Sequence, residues 1–181
     1  MLRTWYWRWR WSWIWSVVAM GWFGCQSGPS WRGIKEQIRS EFPNVRSITP
    51  EELELRLQAP DGEKPLLLDV REDNEFAVSH LRGAIRVPPD SDGSDQLESV
   101  PKDAPIVTYC SVGYRSAQLA KRLMEEGYTN VVNLEGSIFE WANKGYPVER
   151  DGHLVEQVHP FDPNWGKLLD PKLHAYEPSA P

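Results

Sequence analysis

The stretch Thr108-Tyr-Cys-Ser-Val-Gly-Tyr-Arg-Ser116, TYCSVGYRS, decides how the rest of the chain is read. An apolar run, Pro105-Ile-Val, precedes it, and Ser116 to Glu126 has helical spacing, with Leu119, Ala120 and Leu123 on one face before Gly127. The stretch therefore joins a strand to a helix, with Cys110 at the strand's carboxyl end. A short loop feeding a helix leaves unpaired backbone amides at the turn, and with the helix dipole these amides form an anion site. Gly113 permits a positive φ in that loop, and Arg115 adds a fixed positive charge at the helix entrance. A thiol at the start of such a cradle has a depressed pKa and reacts as thiolate. A buried cysteine without such company is more often a small core hydrophobe. Gly113, Arg115 and Ser116 at loop spacing argue against that reading here. The residues alone give a nucleophilic cysteine in an anion-binding loop and leave the anion open: a persulfide, a sulfur oxyanion or a phosphorylated thiol would each be stabilised.

Around this loop the chain alternates strand-like and helix-like segments. Ile34, Ile38 and Phe42 recur at helical spacing before Pro43, and Thr49-Pro-Glu-Glu52 reads as a capped helix start. That helix should carry Leu53 and Leu57 on one face to about Gln58. Pro65-Leu-Leu-Leu-Asp-Val70 is a short continuous apolar run, as for a strand buried on both faces. Glu72 to His80 reads as helix, Gly83 to Val87 as strand, Asn130 to Leu134 as strand and Ile138 to Asn143 as a last short helix. The pattern predicts an α/β fold, a parallel open sheet of about five strands with helices on both faces. In such sheets ligands bind at the carboxyl ends of strands, where Asp69 and Cys110 both fall. From Glu149 onward, Pro160, Pro163, Pro171 and Pro178 predict an extended, wrapping tail with disorder near the end.

Charge is unevenly distributed. Residues 1–30 contain Arg3, Arg8 and Arg10 and no acid, so the rest of the chain holds 17 basic and 26 acidic residues, a net of −9. An acidic body with no basic stripe argues against nucleic acid as a partner. The N-terminus places Trp at every second position from Trp5 to Trp15, with its arginines ahead of an apolar-rich run from Trp11 to Gly24. This has the n-region and h-region of an export signal, and the run is shorter than the roughly 17–25 residues of a membrane span. Trp22-Phe-Gly-Cys25 resembles a lipobox, which makes Cys25 a candidate lipidation site, although Trp22 and Phe23 are unusual there. The alternatives are an uncleaved anchor or a misassigned start codon. The expected organisation is an export signal or anchor at 1–25, a linker with a short helix at 26–46, one domain at 47–149 and the tail at 150–181. The location expected is the cell envelope or periplasm, with the N-terminal segment as a membrane tether. If Cys25 carries lipid, Cys110 is a lone thiol in an oxidising compartment.

The ordered pieces Leu68-Asp-Val-Arg71 with Glu75-Phe76, His80-Leu-Arg-Gly-Ala84 with Val87-Pro88, Tyr109 to Ser116, Gly127-Tyr128, and Leu134-Glu-Gly-Ser-Ile138 with Trp141 and Gly145-Tyr-Pro147 resemble a rhodanese-like domain. The resemblance implies a sulfurtransferase. Cys110 would attack the outer sulfur of a donor such as thiosulfate, hold it as a persulfide and pass it to a thiol or cyanide acceptor, with no cofactor. Ser111, Val112, Gly113, Tyr114 and Arg115 would form the loop that cradles the persulfide. Arg71 is placed to help bind an anionic donor, and Asp69 to order the loop or Arg71; Ser116 supports the loop.

Cys110 to Arg115 is C-x4-R. The related phosphatases carry one more residue in this loop, and Tyr109 stands where they have histidine. The loop interior, Ser-Val-Gly-Tyr, is neutral where thiosulfate enzymes often add a cation, which argues against thiosulfate itself and leaves room for persulfides or other thiol-bound sulfur. Tyr114 reads as a packing residue, with a lid over the site as the alternative. His80 reads as a turn residue; His153, His159 and His174 lack ligand-like spacing, so no metal is expected. Trp165 could dock the tail onto the domain. The competing reading is a non-catalytic rhodanese module that binds a partner or senses sulfur or redox state.

Overall fold

In the computed structural model, which describes residues 28–60 and 64–178, five short strands form one parallel sheet. They are β1 (Ser47–Ile48), β2 (Leu66–Asp69), β3 (Ile85–Arg86), β4 (Ile106–Tyr109) and β5 (Val131–Leu134), in the order β1-β5-β4-β2-β3. The central strands β2, β4 and β5 have side chains buried on both faces, which is why they read as continuous apolar runs rather than as alternation. Leu67, Val107, Tyr109, Val132 and Leu134 point into one core, while Leu68, Val70, Ile106, Cys110 and Val131 point into the other.

Helices α1 (Trp31–Glu41), α2 (Pro50–Leu57) and α6 (Ser137–Asn143) supply the first core, through Ile34, Ile38, Leu53, Ile138 and Trp141. Helices α4 (Ser94–Leu97) and α5 (Tyr114–Glu125) cover the opposite face through Leu97, Leu119, Ala120 and Leu123. Helix α3 (Asp73–Val78) follows β2 at the carboxyl end of the sheet. The α2 start has the expected capping box: the Glu52 N–H donates to Thr49 Oγ1 at 3.2 Å, and the Thr49 N–H donates to Glu52 Oε2 at 2.9 Å.

Two segments are packed more closely than expected. The short helix expected within 26–46 is present as α1, but it packs on the core instead of serving as a linker: Ser30 caps it through the Gly33 N–H, and Ile34, Ile38 and Phe42 are all buried. Burying three such side chains contributes about 1.5–3 kcal/mol each, which fixes the helix to the domain. Lys35 adds ion pairs to Glu135 at 3.0 Å and Glu140 at 2.7 Å, tying α1 to α6.

The tail is also folded, not merely extended. Strands β6 (Val148–Arg150) and β7 (His153–Val155) form an antiparallel hairpin. Asp151 and Gly152 form its turn at φ 51 and 77, the positive values that a two-residue hairpin loop requires. Beyond it, Val158 bridges to His174, donating its N–H to the Leu173 carbonyl and accepting from the Ala175 N–H; Trp165–Leu168 and Pro171–Leu173 form single 3-10 turns, and Val158, Leu168, Leu169 and Leu173 are buried in the α1 core. The Asn143 side chain pins this segment, donating to the Leu168 carbonyl and accepting from the Asp170 N–H, both at 2.8 Å. Trp165 packs against the same core, as its sequence position suggested. The disorder expected at the end of the chain, like the export segment and Cys25, lies outside the described residues. Among the described residues no helix is long and apolar enough to cross a membrane.

Candidate active site

Strand β4 ends at Tyr109, and α5 begins at Tyr114, two residues earlier than the apolar spacing suggests. The linking residues 110–113 form a tight turn that closes at Gly113, whose φ is 110. A side chain there would strain the backbone, and its Cβ would press on Ile38 Cδ1 at 3.3 Å. The early start places Tyr114, Arg115 and Ser116 in the first helical turn. Their N–H groups have no intrahelical acceptor, since the first such bond runs from the Ala117 N–H to the Gly113 carbonyl. Helix α6 holds the loop from behind. The Ile138 and Phe139 N–H groups donate to the carbonyls of Cys110 and Ser111, both at 3.2 Å, and the Cys110 N–H donates to Ser137 Oγ at 3.1 Å.

Cys110 is 1% exposed and forms the floor of a cavity of about 280 Å³. The Gly113 N–H donates to its Sγ at 3.1 Å. Burial alone raises the thiol pKa, but the Arg115 charge and donors from Ser116 and Gly113 more than offset it, so the net shift is downward. The Ser116 hydroxyl also lies 2.7 Å from Asn133 Oδ1. Its single proton serves the amide or the sulfur, one at a time. Asn133 in turn donates to the Gly113 carbonyl at 3.0 Å, so β5 fixes the turn.

Of the residues expected at the site, the structure gathers Cys110, Ser111, Val112, Gly113, Tyr114, Arg115 and Ser116, but with divided roles. Ser111 donates its hydroxyl to Glu75 Oε1 at 2.7 Å. Val112 is buried among apolar side chains. Tyr114 lines the cavity while donating its hydroxyl to Glu41 and setting its ring edge-on to Phe42, which is the packing role.

Arg71 is a correction. It is fully buried, and its guanidinium donates to Asp69 at 2.7 to 3.1 Å, to the Ser79 carbonyl at 2.6 Å and to the Glu75 carbonyl at 3.3 Å. No face of it reaches an incoming donor molecule. Asp69 neutralises it, as the adjacent positions suggested, and the pair ties β2 to α3.

Glu75 is the residue that sequence reasoning missed as a participant. It is 1% exposed, and its carboxylate receives Arg115 Nη1 at 3.0 Å and Nη2 at 3.1 Å. Burial would raise its pKa, but Arg115, then Arg71 and the Glu72 N–H, hold it below the ordinary carboxylate value. Its position three residues before the buried Val78 on α3 was the available signal, since residues three apart share a helix face. The cavity walls also come from outside the cysteine loop. Ile34 and Gln37 reach in from α1, and Phe161 and Trp165 from the tail. Phe161 lies over the Arg115 guanidinium at 4.9 Å.

A five-stranded parallel sheet with a cysteine loop at the carboxyl end of its central strand defines the class that the sequence resembled. The family model for the rhodanese-like domain matches residues 49–144, and the chain belongs to that family. It is 38% identical over 104 residues to a sulfurtransferase of Allochromatium vinosum, covering 58% of this chain and 94% of that protein. It is 28% identical over 128 residues to the thiosulfate:glutathione sulfurtransferase of Saccharomyces cerevisiae, covering 64% of this chain and 91% of that one. Among solved structures, a rhodanese-related protein from Thermoplasma volcanium aligns with a TM-score of 0.50 at 30% identity, covering 58% of this chain and 98% of the other.

Proposed function

We propose that this protein is a sulfurtransferase that carries a sulfane sulfur on Cys110. The observation that carries the reading is the cavity-floor thiol at the start of α5, with the Gly113 N–H at 3.1 Å and the Arg115 charge favouring its thiolate. The likeness to proteins named sulfurtransferases supports the same class of chemistry.

In the first half-reaction the thiolate attacks the outer sulfur of a thiosulfate- or persulfide-type donor. The Sγ–S bond forms, the donor's S–S bond breaks, and its electron pair leaves with the sulfite or carrier thiolate. The new persulfide is an anion and rests against the free amides of the first turn of α5, which favour negative charge. In the second half-reaction an acceptor thiolate or cyanide attacks the outer sulfur and Cys110 departs as thiolate. Sulfur is held covalently throughout, so no cofactor takes part in either step.

Intact-protein mass spectrometry after mixing with a donor tests the proposal. A gain of one sulfur atom on the wild type, absent in Cys110→Ala, is expected. No gain with any donor in folded, reduced protein would sink it. For residues 1–25 the proposal is export to the cell envelope, with a tether at Cys25; fatty-acid labelling that persists in Cys25→Ala overturns the lipid attachment.

A further inference from the structure

The cavity above Cys110 is built for more than sulfur. At about 280 Å³ it is far larger than cyanide or a sulfur oxyanion requires, and it approaches the roughly 300 to 1,000 Å³ of small-molecule sites. Its walls opposite the loop are the apolar Ile34, Phe161 and Trp165 together with one neutral polar side chain, Gln37, and Val112 continues the apolar surface from the loop itself.

Charge at the mouth tells the same story. Arg115 is the cation of the cavity lining, and both of its terminal nitrogens are engaged: Nη1 with Glu75, and Nη2 with Glu75 and Ser111 Oγ at 3.0 Å. Phe161 covers the guanidinium as well. The other nearby guanidinium, Arg71, is sealed behind Asp69. The amides of the first α5 turn serve the single charge on a donor's outer sulfur, so the second charge of a dianion would meet only a compensated ion pair, apolar walls and the Cys110 thiolate.

We propose, resting on the sulfurtransferase reading, that the preferred sulfur donor is a small organic sulfane-sulfur compound with at most one negative charge. Its apolar alkyl or aryl carrier lies against Phe161, Trp165 and Ile34 while its outer sulfur meets Cys110. Phe161 and Trp165 thereby set donor specificity from outside the family-matched residues 49–144. With benzenethiosulfonate as donor, the Cys110 thiolate takes the terminal sulfur, the S–S bond breaks, and benzenesulfinate leaves with the electron pair. Two negative charges stand on each side of the step, and no other reactant is needed.

The experiment measures second-order rates of Cys110 sulfuration by benzenethiosulfonate, methanethiosulfonate and thiosulfate, on the full chain. Phenyl should exceed methyl by about tenfold, as expected for burying a ring, and both should exceed thiosulfate. Phe161→Ala and Trp165→Ala should each shrink the phenyl-to-methyl ratio. Phe161, at 41% exposed, can be truncated without opening the core, so a folding failure of the Trp165 variant still leaves a decisive measurement. Thiosulfate equal to or faster than benzenethiosulfonate, or a phenyl-to-methyl ratio unchanged in Phe161→Ala, overturns this inference and leaves the sulfurtransferase reading standing. Failure of all three donors to sulfurate Cys110 overturns both.

Discussion

Arg115 and Glu75 face each other through a two-pronged ion pair, with Nη1 and Nη2 at 3.0 and 3.1 Å from the carboxylate oxygens. The carboxylate is buried on α3 and the guanidinium stands at the mouth of the cavity on α5, so one interaction joins the scaffold behind β2 to the reacting loop. Glu75 is buried behind the cavity lining, where it positions Arg115 and Ser111.

Glu75→Gln keeps the size and the acceptor oxygen but removes the charge that neutralises Arg115. Losing one partner of a buried pair costs about 3–5 kcal/mol, read as a lower urea midpoint. A purely structural role would stop there. The expected additional readout is a gain in thiosulfate rate relative to benzenethiosulfonate, because the guanidinium is left uncompensated toward an incoming dianion.

Arg115→Ala should slow alkylation of Cys110 by iodoacetamide at pH 7, because the thiol pKa rises and the thiolate fraction falls. The sign follows from the site: burial already disfavours the thiolate, and Arg115 is the largest influence acting the other way. The pH profile of alkylation should move to higher pH as a whole, with the same rate reached at the alkaline limit.

Gly113→Ala forces a side chain onto a left-handed backbone at φ 110 and against Ile38. Strain of about 1–3 kcal/mol is expected, visible as a lower melting temperature. Since the Gly113 N–H is a donor to Cys110 Sγ, the alkylation profile should move upward together with the stability loss.

Asp69→Asn separates fold from chemistry. It leaves Arg71 buried beside a neutral partner, and stability should drop by about 3–5 kcal/mol. Sulfuration of Cys110 per folded molecule should stay near the wild-type rate, because the pair does not face the cavity. A selective loss of activity with thiosulfate at unchanged stability would restore Arg71 as a donor-binding residue.

His159 makes the tail sensitive to acid. It is 5% exposed, its Nδ1 accepts the Phe161 N–H at 3.0 Å, and Tyr176 meets its ring edge-on. Burial lowers its pKa; the charges of Arg71 and, in opposition, Glu75 and Glu177 act on it less strongly. The folded protein therefore resists protonation that the unfolded chain accepts near pH 6.5. Stability from this group is intact above that pH and declines as the pH falls from there toward the lower folded value. Urea midpoints at pH 7.5 and 5.5 should differ more for wild type than for His159→Gln.

The β2, β4 and β5 strands were readable because double-sided burial writes unbroken apolar runs, as in Leu66-Leu-Leu68 and Ile106-Val107. The cysteine loop was readable because Gly113, Arg115 and Ser116 follow one another locally. Other features were written less plainly. The two-residue β1 is too short to show a period, whereas the Asp151-Gly152 dipeptide between β6 and β7 is a hairpin signal that a reading centred on prolines passes over. Arg71 illustrates the opposite limit: a cation at a strand's carboxyl end has the right address for an anion, and only its surroundings reveal that Asp69, Ser79 and Glu75 have already taken its donors. Phe161 and Trp165 reach the cavity by tertiary docking of a proline-rich segment, which carries no periodicity to announce it.

Four of the cavity's lining side chains, Ile34, Gln37, Phe161 and Trp165, lie beyond both ends of the family-matched span 49–144. A version trimmed to those borders would keep its nucleophile and lose the room around it. Donor preferences assayed on such a trimmed version would describe an unfurnished alcove, and ranking this protein against its relatives calls for chains that include both flanks.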